Sequence, residues 1–368
     1  MSGAREAATP EDAAAAAAAV AALPSVDRLA DCVRRGLGLA AAVPVTLEEI
    51  AELANINYVY RVETPGRTLY LKVAPERPKR LAVQIARERV FSEAEGLSRC
   101  RRLAAGDVAI PEVLFVDREE MALGMSDVGH ERQVLFRALP ERFDLLAEQA
   151  EALGSALGAI AAGTRGAGPL RPPAEEAAVR TVIFDGLLAP GARQLFPEQW
   201  DEIGAAMRAP TECLVHADLW SKNLLVRRGQ PVAVVDFEGV HCGDPAFDLA
   251  TLAAVALLPA FQRPALCLDA LDFIARLLAA WSAGCGDDAW PGAVLPRAFR
   301  ATATFLAARL CGPFAYRIGE PARQRLGDLA RSLAAAPPAA ARHFRERVLT
   351  YAAPGFVAAS SSSAAAER

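Results

Sequence analysis

The sequence predicts an α+β fold with two lobes, a small β-rich amino-terminal lobe with one long helix and a larger, mainly helical carboxyl-terminal lobe. Two patterns predict the small lobe: residues 58–73 alternate apolar and polar side chains as strands do, and residues 81–103 show helical periodicity. A third pattern predicts the large lobe, because helical periodicity recurs between residues 143 and 310. A chain of 368 residues is long enough to bury a separate core in each lobe.

A β-hairpin is predicted early in the small lobe. Residues 58–62 and 68–73 are rich in aromatic and β-branched side chains, and the Thr-Pro-Gly-Arg sequence at residues 64–67 supplies the turn. Lys72 lies in the second strand, between two apolar residues. The predicted helix that follows carries three candidate partners for this lysine, namely Glu88, Glu93 and Glu95.

The predicted boundaries divide the chain into five segments. Residues 1–25 and 356–368 are low-complexity tails that are expected to be disordered. The small lobe spans residues 26–125, a hinge follows at residues 126–130, and the large lobe spans residues 131–355. Helices of the large lobe are predicted over residues 143–162, 175–188, 197–208, 247–258, 265–283 and 295–310.

Polar side chains that end short apolar runs mark the predicted catalytic centre. Residues 213–215 form an apolar strand, and Asp218 follows it on a loop. Asn223 precedes the next apolar run, and a valine-rich run then ends at Asp236. Two hairpin-linked strands should therefore bring two carboxylates and an amide to one place.

These residue types suit phosphoryl transfer. A phosphotransferase needs a carboxylate near the acceptor hydroxyl and oxygen ligands for Mg²⁺, because positioning and charge neutralisation dominate the reaction. Asp218 fits the first role, whereas Asn223 and Asp236 fit the second, since Mg²⁺ is commonly held by one or two carboxylates with phosphate oxygens and water. If the chain stays extended after Asp236, Glu238 lies on the same face and is a further candidate metal ligand. His216 is expected to shape the loop and not to bind metal.

The sequences HADLWSKN, VVDFE and GDPAFDLA resemble the catalytic-loop and metal-binding motifs of the aminoglycoside phosphotransferase-like superfamily, which shares the protein-kinase fold. The resemblance implies a two-lobed protein-kinase-like fold and the transfer of a phosphoryl group from ATP, with Mg²⁺, to a hydroxyl of a small molecule. It also implies that Lys72 binds the α- and β-phosphates of ATP, with Glu93 as its partner glutamate. Asp248, in the third motif, is expected to support the catalytic loop together with His216.

The amino-terminal half most resembles methylthioribose kinases, in the sequences ANINYVYRV, SEAEGL, IPEVLFVD and GMSDVG. This resemblance places Asn57 among the nucleotide-binding residues and Arg309 in a segment at the sugar pocket. Three positions depart from the branch, because Ala54, Ser126 and Ala308 replace a usual glycine, glutamate and arginine. An acceptor other than methylthioribose therefore stays open.

The resulting hypothesis is an ATP-dependent kinase of a methylthioribose-like sugar. Within the superfamily the alternative is an antibiotic kinase of aminoglycoside type, a choline-type kinase or a fructosamine-type kinase. A nucleotide-binding pseudokinase is the alternative of another class, and it is disfavoured because Lys72, Asp218, Asn223 and Asp236 are all present. An acidic acceptor site would favour a cationic acceptor, whereas an arginine-lined site would favour a sugar or a carboxylate.

The composition argues against several other classes of function. The formal net charge of -4 argues against nucleic-acid binding, which needs a concentrated basic face. No uninterrupted apolar stretch reaches the length of a membrane span, and the seven cysteines show no zinc-type or disulfide-type spacing. A cytoplasmic enzyme that acts on a small molecule is expected, and a homodimer is left open.

Overall fold

The chain separates into two compact units, each described below by itself. The first unit comprises Met1–Ser98 and Pro111–Asp127, and the second comprises Arg99–Ile110 and Val128–Arg368. The computed structural model describes residues 24–50, 56–77, 86–104, 106–286, 289–336 and 342–352. Ala54 and nearly all of both predicted tails lie outside these residues, so their predicted roles stay predictions.

The first unit is built on an antiparallel sheet. The predicted hairpin is confirmed, with Thr64 paired to Arg67 beside the turn. Aromatic and branched side chains alternate with polar ones along both strands, which buries one face of the sheet. The strand order across the sheet is β1 (Thr46–Glu49), β2 (Tyr58–Thr64), β3 (Arg67–Val73), β5 (Ala122–Ser126) and β4 (Val113–Asp117).

A helix that the sequence analysis did not predict packs in the core of the first unit. Helix α1 (Val26–Leu37) begins at Ser25, whose Oγ accepts the backbone N–H of Arg28, and ends at Gly38 with a left-handed backbone. Its buried face, which includes Leu29 and Val33, joins the hydrophobic core formed by the sheet. The small lobe therefore contains this helix in addition to the predicted one.

The predicted helix over residues 81–103 is shorter than expected. Helix α2 (Arg89–Leu103) begins at Arg89, and residues 87–88 form a turn before it. Residues 81–85 lie outside the described part of the chain. The start at Arg89 places Glu93 at the second turn of the helix, while Glu88 precedes its first residue.

Helices dominate the second unit, as predicted. The helix predicted over residues 197–208 is observed with the same ends. The one predicted over residues 143–162 is interrupted after Ala147, and the one predicted over residues 175–188 changes after Thr181 into a π-helical segment (Val182–Leu188). The helices are α3 (Leu135–Ala138), α4 (Phe143–Ala147), α5 (Ala150–Thr164), α6 (Pro173–Thr181), α7 (Ala189–Leu195), α8 (Pro197–Arg208), α9 (Ala246–Gln262), α10 (Cys267–Cys285), α11 (Ala289–Cys311), α12 (Ala322–Ala334) and α13 (Phe344–Ala352).

Helix α9 forms the centre of the second unit. Its side chains are buried from Ala246 to Phe261 and nearly all of them are apolar, so the helix is enclosed by protein on all sides. Helices α5 and α10 approach each other closely, because a Cβ added at Gly154 would lie 2.3 Å from the carbonyl oxygen of Leu277. No helix in the described parts of the chain is long and apolar enough to cross a membrane.

Short strands in the second unit carry the predicted catalytic residues. The strands predicted over residues 213–215 and 224–226 are observed with the same ends, whereas the valine-rich run forms a strand of only two residues. Strand β8 (Leu224–Val226) pairs with both β6 (Gln133–Val134) and β9 (Ala233–Val234). A separate antiparallel pair joins β7 (Cys213–Val215) and β10 (His241–Gly243).

Candidate active site

The predicted nucleotide lysine forms a buried ion pair in the first unit. Lys72 lies on β3, and its Nζ is 2.7 Å from Oε1 of Glu93 on α2. Both side chains are at least 95% buried. Neither charge can leave the other without a compensating partner inside the protein, so the ion pair holds the ammonium in position. Of the three glutamates considered from the sequence, Glu93 makes this contact. The role of the pair in binding phosphate stays a prediction.

Asn57 has a defined contact in the first unit. Its Oδ1 accepts hydrogen bonds from Nε and Nη2 of Arg89, at 3.1 and 2.6 Å. Both residues are buried, so the bond ties the start of β2 to the first turn of α2. Arg89 was not singled out from the sequence, because a lone arginine at a helix start carries no recognisable motif. The nucleotide-binding role of Asn57 stays a prediction.

In the second unit, the catalytic loop (residues 216–223) brings the predicted base and an amide ligand together. The Nδ2 of Asn223 donates to Oδ2 of Asp218 at 2.7 Å and to the backbone carbonyl of Asp218 at 2.8 Å. The amide therefore fixes the orientation of the carboxylate. In its predicted metal-binding role, Asn223 would use its side-chain oxygen, Oδ1, as the ligand.

Asp248 holds the strained part of the catalytic loop. Ala217 has a left-handed backbone with φ of 65°, a conformation that side chains other than glycine adopt at a cost. The buried carboxylate of Asp248, on α9, accepts the backbone N–H groups of His216 and Ala217 at 2.8 and 2.9 Å. These two bonds give the predicted loop-supporting role of Asp248 a physical basis.

His216 connects the catalytic loop to the residue before Asp236. Its Nδ1 accepts the backbone N–H of Asp218 at 3.2 Å, so the proton of the neutral ring resides on Nε2. That Nε2 lies 3.2 Å from the carbonyl oxygen of Val235 and donates to it. The ring also packs against Phe237, with 4.4 Å between ring centroids. His216 thus has contacts that shape both loops, in keeping with its predicted role.

Burial and neighbouring charges shift the pKa of Asp218, the predicted base. Burial raises the pKa of Asp218 to about 6, and the carboxylate of Asp236 contributes to the rise, while Arg309 and Asn223 oppose it. Burial also raises the pKa of Asp248 to about 6, against the effect of its two amide donors. A carboxylate with a raised pKa is a better proton acceptor while it remains ionised at neutral pH.

The metal loop (residues 236–240) differs from the sequence-based expectation. Asp236 has a left-handed backbone with φ and ψ both 67°, and Phe237–Gly239 form a 3-10 turn. The prediction that Asp236 and Glu238 share one face of an extended segment is therefore wrong. Glu238 stays a candidate metal ligand because it is a carboxylate, but the argument from an extended backbone no longer supports it.

The donor set fits Mg²⁺ better than a transition metal. The described residues contain no group of three or more His, Cys, Asp or Glu side chains arranged to hold a metal. The amide of Asn223 lies against Asp218, and the backbone N–H of Val235, the residue before Asp236, donates to the carbonyl oxygen of Asn223 at 3.0 Å, so the backbone brings Asp236 close to Asn223. Mg²⁺ commonly takes one or two such protein oxygens and completes its coordination with phosphate oxygens and water.

A narrow pocket of about 30 Å³ opens beside Asp218. Arg309 lines it from α11, with its guanidinium 3.7 Å from the ring centroid of Trp220 and 5.1 Å from that of Tyr316. The buried Nε of Arg309 has no hydrogen-bond partner, and its Nη1 donates to the carbonyl oxygen of Phe314 at 3.3 Å. The remaining pocket wall is apolar and consists of Ile183, Leu187, Leu188, Ala217, Trp220, Phe247, Phe305, Ala308 and Phe314.

Two features of this pocket escaped the sequence analysis. The π-helical segment supplies Ile183, Leu187 and Leu188 to the wall, and π-helical insertions occur frequently at functional sites. Trp220 lies within the recognised motif, but its stacking on Arg309 requires the fold, because the two residues are far apart in sequence. No pattern of residue types could have revealed either feature.

Comparison with solved structures finds low-identity likenesses among small-molecule kinases. A choline/ethanolamine kinase family protein from Mesorhizobium loti is 19% identical, with 87% of this chain and 99% of that chain covered and a TM-score of 0.46. A microcompartment-associated aminopropanol kinase is 18% identical, with 87% and 98% covered and a TM-score of 0.43. A phosphotransferase in a ternary complex with streptomycin and ATP is 15% identical, with 84% and 99% covered and a TM-score of 0.43.

Comparison with curated proteins finds no match. The model of the phosphotransferase enzyme family matches residues 47–284, which is more than half of the chain. The match confirms the predicted superfamily and the predicted protein-kinase-like fold class. The chain belongs to the phosphotransferase enzyme family, and it is a small-molecule kinase.

Proposed function

We propose that the protein transfers the γ-phosphoryl group of ATP to a hydroxyl of a small acceptor that is neutral or anionic, with a methylthioribose-like sugar as the leading candidate. The observation that carries the proposal is the environment of Asp218. Its carboxylate is oriented by Asn223, has a raised pKa, and lines the pocket that contains Arg309.

Each candidate residue has a separate task in the proposed reaction. Lys72, fixed by Glu93, binds phosphate oxygens of ATP, since a compact ammonium serves as a point charge for phosphate. Asn223 and Asp236 are the residues that would hold Mg²⁺, with Glu238 as a further candidate. When bound, Mg²⁺ neutralises charge on the phosphate oxygens.

Asp218 acts as the general base. Its carboxylate orients the acceptor hydroxyl and accepts the hydroxyl proton as the new bond from oxygen to phosphorus forms. The bond from the γ-phosphorus to the bridging oxygen breaks, and ADP leaves with that bond's electron pair. A positioned base of this kind contributes a factor of roughly 10²–10⁴ to the rate.

The pocket has about the volume of one water molecule, so its lining describes the surroundings of the reacting hydroxyl, and there it favours an acceptor group without a positive charge. Asp218 is the one carboxylate and Arg309 the one cation among the described lining residues. Arg309 would repel an ammonium group placed beside the reacting hydroxyl, as in an aminoglycoside or an amino alcohol. The Arg309 guanidinium lines this pocket, and its N–H donors suit a hydroxyl, ether or carboxylate oxygen of the acceptor.

The experiment is a measurement of ADP release from ATP and Mg²⁺ in the presence of single acceptors. The panel contains methylthioribose, other free sugars, homoserine, choline, a fructosamine and an aminoglycoside. Wild type is compared with Asp218→Asn and with Asp201→Asn, which removes an exposed carboxylate on α8 in the same unit. We expect a sugar to stimulate turnover in wild type and Asp201→Asn, and not in Asp218→Asn.

The panel also separates the alternatives. Stimulation by choline or an aminoglycoside alone would contradict the proposed acceptor class and leave the phosphotransferase chemistry intact. Tight ATP binding without transfer to any acceptor, and without slow ATP hydrolysis, would favour the pseudokinase hypothesis. Full activity of Asp218→Asn with its preferred acceptor would contradict the assignment of Asp218 as the base.

A further inference from the structure

Arg171 is a buried cation in the second unit that the proposed reaction does not use. Its side chain is 0% exposed, and it precedes the two prolines that begin helix α6. Pro172 restricts the backbone of Arg171 to extended conformations, and Pro172 and Pro173 fix the path of the chain into the helix. The fold therefore presents this guanidinium from a rigid segment.

The guanidinium of Arg171 binds the backbone of the metal loop. Its Nη1 donates to the carbonyl oxygen of Val240, and its Nη2 donates to the carbonyl oxygen of Glu238 at 3.0 Å. These two carbonyls flank Gly239 and follow Asp236 by two and four residues. One planar group thus spans the loop that carries both candidate metal carboxylates.

The metal loop needs such support because its backbone is strained. Asp236 adopts the left-handed conformation, which persists in a residue other than glycine only where the surrounding structure enforces it. The preceding residue is held through His216, which donates to the carbonyl oxygen of Val235. Arg171 holds the opposite end of the same loop, so the strained residue lies between two fixed points.

Glu176 completes the arrangement. Its Oε2 lies 3.8 Å from Nη1 of Arg171, which balances the buried positive charge. Its Oε1 accepts the backbone N–H of Cys242 at 2.9 Å, in the strand that follows the metal loop. A glutamate one helical turn into α6 therefore fixes both the guanidinium and the chain beyond the loop.

We infer that Arg171 is a positioning residue for divalent-metal binding, which it supports by holding the backbone of residues 236–240 through two carbonyl groups. The inference rests on the proposed function, in which Asp236 contributes to a Mg²⁺ site. Partners that orient metal ligands typically change metal affinity or activity by about 10–100-fold when mutated. Arg171 is expected to have an effect of that size without touching the metal.

A matched control is available in the same unit. Arg325, on helix α12, also donates through Nη2 to a backbone carbonyl, that of Phe261 near the end of helix α9, at 3.1 Å. Arg171→Lys keeps a positive charge while losing the planar fork that reaches two carbonyls, and Arg325→Lys makes the same chemical change at a carbonyl outside the metal loop. Arg171→Met removes the charge as well.

The test has two readouts that do not depend on catalysis. Hydrogen exchange of the metal-free protein measures protection of the amides in residues 237–243. Calorimetry measures the affinity for ADP with Mg²⁺ and with EDTA. For both Arg171 variants we expect faster exchange in this segment and about a 10–100-fold higher Mg²⁺ requirement for tight ADP binding, with affinity in EDTA unchanged. Arg325→Lys should match wild type in both.

The outcomes distinguish this inference from the proposed function. If wild type shows no effect of Mg²⁺ on ADP binding, the proposed function fails. If wild type shows the effect and folded Arg171 variants keep both the effect and the exchange pattern, the positioning role is wrong. If neither Arg171 variant folds, Glu176→Gln decides, because it keeps an acceptor for Cys242 but removes the charge that balances Arg171; unchanged Mg²⁺ dependence there contradicts the inference.

Discussion

The catalytic loop and the metal loop meet the same structural requirement with opposite charges. Each contains a residue other than glycine with a left-handed backbone, Ala217 in one and Asp236 in the other. A carboxylate holds the catalytic loop, because Asp248 accepts two backbone N–H groups. A guanidinium holds the metal loop, because Arg171 donates to two backbone carbonyls.

The difference between the loops follows from which backbone groups face the interior. Inward N–H groups need a buried acceptor and inward carbonyls need a buried donor, since an unpaired buried polar group destabilises the fold, and here an anion and a cation fill these roles. In both loops one charged side chain satisfies two backbone groups and also enforces a strained conformation. The strain therefore lies beside the proposed chemistry, where a fixed geometry is most useful.

The largest effect is expected for the proposed base itself. Asp218→Asn removes the proton acceptor but keeps an oxygen for the amide of Asn223, so turnover should fall by a factor of roughly 10²–10⁴ while the fold is kept. Turnover with a saturating acceptor, and the melting temperature, test this. Asp201→Asn serves as the control, and a loss of less than tenfold in Asp218→Asn would remove Asp218 from the catalytic role.

The next largest effect concerns the support of the catalytic loop. Asp248→Asn leaves one of the two N–H groups without an acceptor, because an amide has a single carbonyl oxygen. An unsatisfied buried donor costs about 1–3 kcal/mol, so the free energy of unfolding should fall by that amount. Denaturant unfolding measures the change, and the loss of hydrogen-exchange protection should be larger in the catalytic loop than in the metal loop, which Arg171 also holds. Equal loss of protection in both loops would show that Arg171 does not hold the metal loop in its own right.

The smallest effect is expected from pH. Asp218 accepts a proton only when ionised, and its pKa is raised to about 6, so kcat/KM should rise with pH and level off above that value. Below it, activity should fall by about tenfold for each pH unit. Asp248 has a pKa of about 6 as well, and its protonation weakens the hold on the catalytic loop, which acts in the same direction. Constant kcat/KM down to pH 5 would contradict the poised base.

The sequence predicted the catalytic loop well because its signal is local. Apolar runs bounded by polar residues located β7 and β8 to the residue, and the motif from His216 to Asn223 supplied the candidate catalytic residues between them. Asp248 belongs to a recognisable motif at the start of α9, so its supporting role was also accessible. Helix α1 was missed although Ser25 and Gly38 are ordinary cap residues.

The metal loop could not be predicted to the same degree because its determinants are not local. A left-handed backbone at Asp236 leaves no mark in residue type, so the segment was wrongly interpreted as extended, and the argument that placed Glu238 on the face of Asp236 is lost. Arg171 contacts backbone carbonyls 67 and 69 residues away, and a carbonyl is present whatever the side chain. The catalytic loop could thus be predicted from its side-chain motif, whereas the metal loop depends on backbone contacts that the sequence does not reveal.

The most direct test of this account is calorimetric titration of ADP, with Mg²⁺ and with EDTA, into wild type, Asp218→Asn and Asp236→Asn. The account assigns acceptor activation to Asp218 and metal binding to Asp236. It predicts that Asp218→Asn keeps the gain in ADP affinity that Mg²⁺ provides, and that Asp236→Asn loses this gain while binding ADP normally in EDTA. An equal loss of Mg²⁺-dependent affinity in both variants would contradict this division between the two loops.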